Sequence, residues 1–420
     1  MKKIFYGIAA VCAAMTFTAC SSSDDSYNKY ADKNYGMAAI DAGDNLNSQL
    51  SAAYRKMQND DQDATKNAEL KALVTNVVNN VIIPTYTQLG DEAENMQQAL
   101  GNIDVNNLTQ AQIDECCRAF KAARKLWEQS EAFLGGAASD KDIDPHIDSW
   151  PLNRVDLHTL LLNLQNTGKV AEDLDESVLG FHALEFILFR DGKNRTVADF
   201  QGKDTYKGFT DINGATELRY AETVLEDLVA HVYALQCSWE GQTAGNAERY
   251  SKADALGLND GLTTEKGKSY GWNMLNAGDA QSTFADFSEV AQQLLSMAEG
   301  SCAGICDEVA SKKIARPFSG GDVSYVESPF SYNSISDFAD NIRSINNIWY
   351  GKMGGSAVNM AENSFAAYFS KYYPNTSATV STAIINMIAK IEAMPYPFVK
   401  YCETINGKKY EDSELVEYDE

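Results

Sequence analysis

Stretches that alternate apolar and polar residues between turn signals are almost absent from this chain of 420 residues, which argues against a sheet. Basic residues are also scarce. Lysine and arginine number 35 against 59 aspartates and glutamates, a formal net charge of −24. Nucleic acid and anionic lipid headgroups are therefore poor partners. The 4 histidines form no His-Glu-x-x-His pair, and Phe186 stands where His-x-x-Glu-His would need its second histidine. There is no Cys-x-x-Cys, which removes the usual zinc knuckle and attached haem. Beyond the N-terminus no apolar run approaches the roughly 20 residues of a membrane-spanning helix.

What is present begins with an export signal. Lys2 and Lys3 precede an apolar run at residues 4–14, and Phe17-Thr18-Ala19-Cys20 has the small-residue pattern of a cleavage site ending in a lipid-accepting cysteine. Residues 1–19 read as a lipoprotein signal peptide and Cys20 as the lipidation site. Residues 20–45 read as a flexible tether that opens Ser21-Ser22-Ser23-Asp24-Asp25. That polar start resembles the surface-export signal of Bacteroidetes lipoproteins. The expected location is the cell envelope, as an outer-membrane lipoprotein, periplasmic or surface-exposed, with the membrane as partner through the lipid. The six later cysteines, Cys116, Cys117, Cys237, Cys302, Cys306 and Cys402, allow fifteen pairings and read as structural or buried.

The rest of the chain carries helical periodicity. Residues 68–100 place apolar side chains three and four apart, with Pro84 expected to kink or split the run. Thr109 and Gln112 have capping-box spacing at the start of an amphipathic helix over 109–134, which Gly135-Gly136 ends. The two prolines within 135–152 argue for a loop. Helices follow at 153–164, 175–190, 215–240, 279–314, 334–350, 356–372 and 376–394, with a long loop over 240–275. The fold class is all-α, most simply two helical bundles at 46–212 and 213–420. No internal repeat is visible, so duplication stays open.

One helix departs from the amphipathic rule. From Val178 to Phe189 every residue is apolar or glycine except His182 and Glu185, so it belongs at the centre of a bundle. A buried carboxylate costs several kcal/mol unless paired. His182 and Glu185 are three apart and share one face. Gly180, just before them, suits a close backbone approach. The pair is either an internal hydrogen bond or a site, through metal ligation or acid–base chemistry.

Gly180-x-His182-x-x-Glu185 resembles the signature of imelysin-like proteins, the M75 peptidase family. Trp127-Glu128-Gln129-Ser130-Glu131-Ala132-Phe133, Ile147-Asp148-Ser149-Trp150-Pro151-Leu152, Phe330-Ser331, and Asp337 through Asn341-Ile342-Arg343-Ser344-Ile345 to Tyr350-Gly351 resemble further family segments, in order, over residues 65–395. The resemblance implies two related helical domains, a pocket at their junction, and an exported lipoprotein linked to iron-regulated uptake. It implies His182, Glu185 and Glu131 as metal ligands for iron or zinc. It implies Ser130, Asp148, Ser331 and Arg343 as ligand-binding residues. Each has a plainer role available: Glu131 pairing with a lysine, Asp148 or Ser331 capping a helix, Arg343 in a salt bridge, and Trp127 and Trp150 in the core. The leading expectation is a ligand- or divalent-metal-binding component of envelope iron uptake. The alternatives are an M75-type zinc metallopeptidase and a non-catalytic surface scaffold.

Overall fold

The computed structural model describes residues 28–60, 63–101, 104–171, 173–258 and 262–413. The signal peptide and Cys20 lie outside them. The fold is all-α, and among the described residues the one sheet, of two strands, pairs Phe189–Arg190 with Lys193–Asn194. The six cysteines Cys116, Cys117, Cys237, Cys302, Cys306 and Cys402 are buried free thiols.

The helices form two packing groups whose membership does not follow chain order. Ile83–Leu100 packs on Gln110–Glu128 and on Gly214–Glu240, which also receives Gly180–Leu188 and the short Ile143–Asp148 helix. The other group gathers Asn34–Gln58, Cys302–Glu308, Ser334–Tyr350 and Pro374–Glu392. Ser334–Tyr350 also packs on Gln110–Glu128, joining the groups. The boundary expected at 212/213 is thus corrected: Gly214–Glu240 belongs with the helices before it, and Asn34–Gln58 with those near the C-terminus. The tether expected through residue 45 is shorter too, because a helix starts at Asn34. Ala39, Ala42, Leu46, Leu50 and Ala53 give that helix a continuous buried stripe. Gly43 lets it come close to its neighbour, since a Cβ there would lie 2.6 Å from Ala310 Cβ.

Local departures from the sequence reading have identifiable causes. Pro84 neither splits nor ends its helix: the turns before it, Val78–Ile82, widen to π geometry and the helix resumes at Ile83. The same device, Val309–Ala315, precedes Pro317. A proline has no N–H and its ring crowds the carbonyl one turn back, and a π turn relieves both. Pro145 lies inside the Ile143–Asp148 helix, where a loop was expected. It sits in the first turn, where a missing N–H leaves nothing unpaired. The single helix expected over 279–314 breaks between Phe287–Leu295 and Cys302–Glu308. Gly300 in that break has φ +64°, and its carbonyl accepts the Gly135 N–H at 3.1 Å. The loop expected over 240–275 contains helices Ala247–Ala255 and Tyr270–Leu275, and the helix expected from 356 begins at Phe365.

A buried charge network fixes the exit of the Gly180–Leu188 helix. Arg190 pairs with Asp204 at 2.5 Å, and Arg195 with Glu217 at 2.8 Å. Burial outweighs the nearby arginines and pushes the Glu217 carboxyl up to about 7 from its ordinary 4.5. Folding with a raised carboxyl pKa is favoured below 4.5 and loses that advantage as pH rises to about 7. A Glu217→Gln variant should therefore gain on the wild type as pH rises from 5 to 8. The expected gain is on the order of 2 kcal/mol, a tenfold change in proton affinity being about 1.4. Thermal melts across that range check this, and a constant gap between the two proteins would contradict it.

Candidate functional site

Gly180 opens its helix with φ +66°, and a Cβ on it would stand 2.3 Å from the Ile147 carbonyl oxygen and 2.9 Å from that of His146. The close approach inferred from the sequence is therefore the 146–147 backbone crossing the helix start. That crossing delivers Asp148 to His182. The His182 Nε2 lies 3.0 Å from Asp148 Oδ1, and its Nδ1 lies 3.7 Å from Glu185 Oε2. Both are ion-pair contacts without hydrogen-bond alignment. The Trp150 ring covers the imidazole at 4.3 Å between centroids.

Glu185 is held from the other packing group. Its Oε1 accepts from the Ser331 N–H and Oγ–H, both at 2.7 Å, and from the Phe330 N–H at 3.0 Å. Three donors offset the cost of burying this carboxylate. Its Oε2 meets no hydrogen-bond donor among the described residues.

Beside the histidine sits Arg124, fully buried on the Gln110–Glu128 helix. Its guanidinium pairs with Asp148, Glu128, Glu327 at 2.5 Å and Asp337 at 3.6 Å. The Trp127 indole N–H donates to Asp148 Oδ2 at 2.6 Å. The Lys313 ammonium, from the π turns before Pro317, lies 3.3 Å from Glu327, 3.8 Å from Glu128 and 3.9 Å from Glu131.

The network opens on a cavity of about 140 Å³. Glu131, Asp144, Asp148, Glu299, Glu308 and Glu327 line it, against one cation, Lys313. Burial pushes Asp144 up to about 7 and Glu131 well above the usual carboxylate range. Burial raises Asp148 as well, but Arg124 and His182 overcome it and hold that carboxyl well below its ordinary value. Burial and Arg124 pull the His182 imidazole down, yet Asp148 and Glu185 prevail and its pKa is raised. Neighbouring carboxylates likewise overcome burial and keep Lys313 charged.

Among the expected site residues, the structure joins His182, Asp148, Glu185 and Ser331. The expected ligand set of His182, Glu185 and Glu131 does not converge. The carboxylates within 4.8 Å of a ring nitrogen of His182 and of each other are Asp148 and Glu327. Glu185 is turned to the Ser331 loop, and Glu131 lines the cavity beside Lys313. Ser130 is buried with its hydroxyl on the Trp127 carbonyl at 2.6 Å. Arg343 lies outside the network, one third exposed, paired with Asp340 at 3.0 Å and with Glu392. Asp148 caps no helix, since Asn153 caps the helix after Pro151. Arg124, Glu128, Lys313, Glu327 and Asp337 were not anticipated as site residues. The segments compared with the family nonetheless meet in space: Asn341 donates to Glu128, and Ser344 Oγ accepts from the Ala132 N–H at 3.0 Å.

A divalent ion at His182, Asp148 and Glu327 would face a guanidinium that cannot lose its charge. These donors therefore suit the Arg124 network better than an ion in their midst. Glu131, Asp144 and Glu308 share the cavity with the Lys313 ammonium, 3.9 Å from Glu131.

Comparison with known proteins agrees with this fold. Iron-regulated protein A of Synechococcus elongatus is 23% identical over 348 residues, covering 81% of this chain and 82% of that one. A solved structure described as an iron-regulated protein A precursor from Parabacteroides distasonis shares the fold. Its TM-score is 0.66 at 24% identity, over 81% of this chain and 91% of that one. An imelysin-like protein from Psychrobacter arcticum, at TM-score 0.43 and 12% identity over 83% and 98% of the chains, is too distant to argue from. The peptidase M75 (imelysin) family profile matches residues 82–419, and the chain belongs to that family.

Proposed function

We propose that this protein is an exported lipoprotein, anchored through Cys20, that binds a divalent cation in the acidic cavity beside His182 and serves iron-related uptake. The observation that carries the reading is six carboxylates around one ammonium in a cavity of about 140 Å³. Carboxylates forced together either keep protons or take up a cation, and Asp144 and Glu131 already have raised proton affinity. Carboxylate oxygens accept iron(II) or zinc. The iron-regulated protein A name of the Synechococcus relative supports the iron link, and the word precursor for the Parabacteroides protein supports export. No helix among the described residues is long and apolar enough to cross a membrane. In this reading Cys20 supplies the attachment.

The test is calorimetric titration of the detergent-solubilised full chain with iron(II), under anaerobic conditions, and with zinc(II). An Asp144→Asn, Glu308→Gln variant should bind more weakly by about tenfold or more, roughly 1.4 kcal/mol. Equal binding by wild type and variant, or no binding by either, defeats the reading.

A further inference from the structure

A second cluster, shared by the Ile143–Asp148 and Gly214–Glu240 helices, has the composition of a transition-metal site. Asp227 and His231 are four apart on the Gly214–Glu240 helix and so share one face. His146 reaches them from the short helix. Its ring stacks on that of His231, with centroids 3.9 Å apart and planes 13° from parallel. The Asp227 carboxylate spans the pair, Oδ2 lying 3.2 Å from His146 Nδ1 and Oδ1 3.3 Å from His231 Nδ1. Glu176 Oε1 stands 3.7 Å from His146 Nε2. Donor atoms of His146, Asp227 and His231 all lie within 4.8 Å of one another.

Three features separate this cluster from the His182 network. No lysine or arginine among the described residues pairs with Asp227 or Glu176; both face histidine alone. An arriving ion would therefore meet no fixed positive charge. His146 and Asp227 are partly exposed, so an ion has a route in. The ligands are also pre-placed. The Asp227 carboxylate already lies between the two rings, 3.2 Å and 3.3 Å from their nearer nitrogens.

We propose that His146, His231 and Asp227 form a divalent transition-metal site, separate from the acidic cavity and independent of that cavity's own role. Two imidazoles and a carboxylate are the mixed donor set that iron(II), zinc or cobalt(II) accepts. Lone pairs of stacked rings run parallel, so ligation tilts His146 away from the stack. The His231 Nδ1 lies 2.9 Å from the Asp227 main-chain oxygen, and an ion at that nitrogen replaces the proton shared there. The ion would tie the Ile143–Asp148 helix to Gly214–Glu240, fixing the segment that presents Asp148.

Cobalt(II) is the probe, because imidazole ligation gives visible absorption. The full chain in detergent is titrated with cobalt(II) beside His146→Ala, His231→Ala and the cavity variant Asp144→Asn, Glu308→Gln. Expected is a visible band in the wild type and the cavity variant that is lost in both histidine variants. Affinity should fall by more than the roughly 10–100-fold that losing an outer-sphere partner costs. His146→Asn, with circular dichroism on every variant, separates loss of ligation from loss of fold. A band that survives His146→Ala and His146→Asn overturns the proposal, as does a wild type that binds no cobalt(II) below millimolar concentration. A cavity that binds nothing leaves this result readable, since the band depends on different residues.

Discussion

Arg124→Met should leave little folded protein. The guanidinium is the hub for Asp148, Glu128, Glu327 and Asp337, all buried, with Lys313 reaching only two of those. Methionine matches the volume and fills the space, so packing alone predicts a mild effect. Electrostatics predicts the opposite. Removing one partner of a buried ion pair costs about 3–5 kcal/mol because the other charge is left uncompensated, and here several are left at once. That loss compares with the roughly 5–15 kcal/mol that holds a typical domain folded. The expected result is aggregation, or a melting transition far below the wild type's. Arg124→Lys should recover part of the loss through charge, but not the fork that engages several carboxylates. Combining Arg124→Met with Asp148→Asn and Glu327→Gln should recover more, since the carboxyls then left beside it, Glu128 and Asp337, have their proton affinity raised by burial. Soluble yield and thermal denaturation read all three. A single Arg124→Met protein that melts with the wild type would mean that the carboxylates are neutral in the fold and that Arg124 organises nothing.

The Arg124 hub illustrates what the sequence could and could not reveal. Ile113, Cys117 and Phe120 lie four and three apart on one face of their helix with Trp127 seven further on, and Arg124 falls on that face, four after Phe120 and three before Trp127. A charged residue on an apolar stripe was therefore visible, with Glu128 one turn on, and it is the signal that could have found the network. Glu327 and Lys313 gave no such signal. Glu327 stands in an irregular segment between Val326 and Ser328, and Lys313 lies in π turns whose periodicity matches no helix template. The His182–Glu185 helix was legible because its apolar surroundings left two polar residues exposed as exceptions, and all nine residues of Gly180–Leu188 are buried. Which carboxylate meets His182 was not legible, because Asp148 arrives by a crossing that spacing along one helix cannot encode. The grouping of Asn34–Gln58 with Pro374–Glu392 was hidden for a similar reason. An apolar stripe says that a helix is covered, and not by what.

Gly180→Ala should separate His182 from Asp148 while leaving every ionisable group in place. The added methyl would lie 2.3 Å from the Ile147 carbonyl oxygen and 2.7 Å from its carbon. These are backbone atoms, so no side-chain rotation relieves the contact. The φ of +66° adds about 1–2 kcal/mol for any residue with a Cβ. Overpacking in a dense interior adds about 1–3 kcal/mol more. The chain can avoid the full penalty only by moving the 146–147 backbone off the helix, which carries Asp148 with it. Thermal stability should therefore fall by roughly 2–5 kcal/mol. If Asp148 is what raises the His182 pKa, the imidazole that has lost it should titrate lower than in the wild type, because burial and Arg124 then act on it with less opposition. Histidine titration by NMR in the folded variant distinguishes this from a general loss of stability. An unchanged His182 titration in a destabilised protein would show that the glycine serves only the backbone crossing and not the pairing of Asp148 with His182.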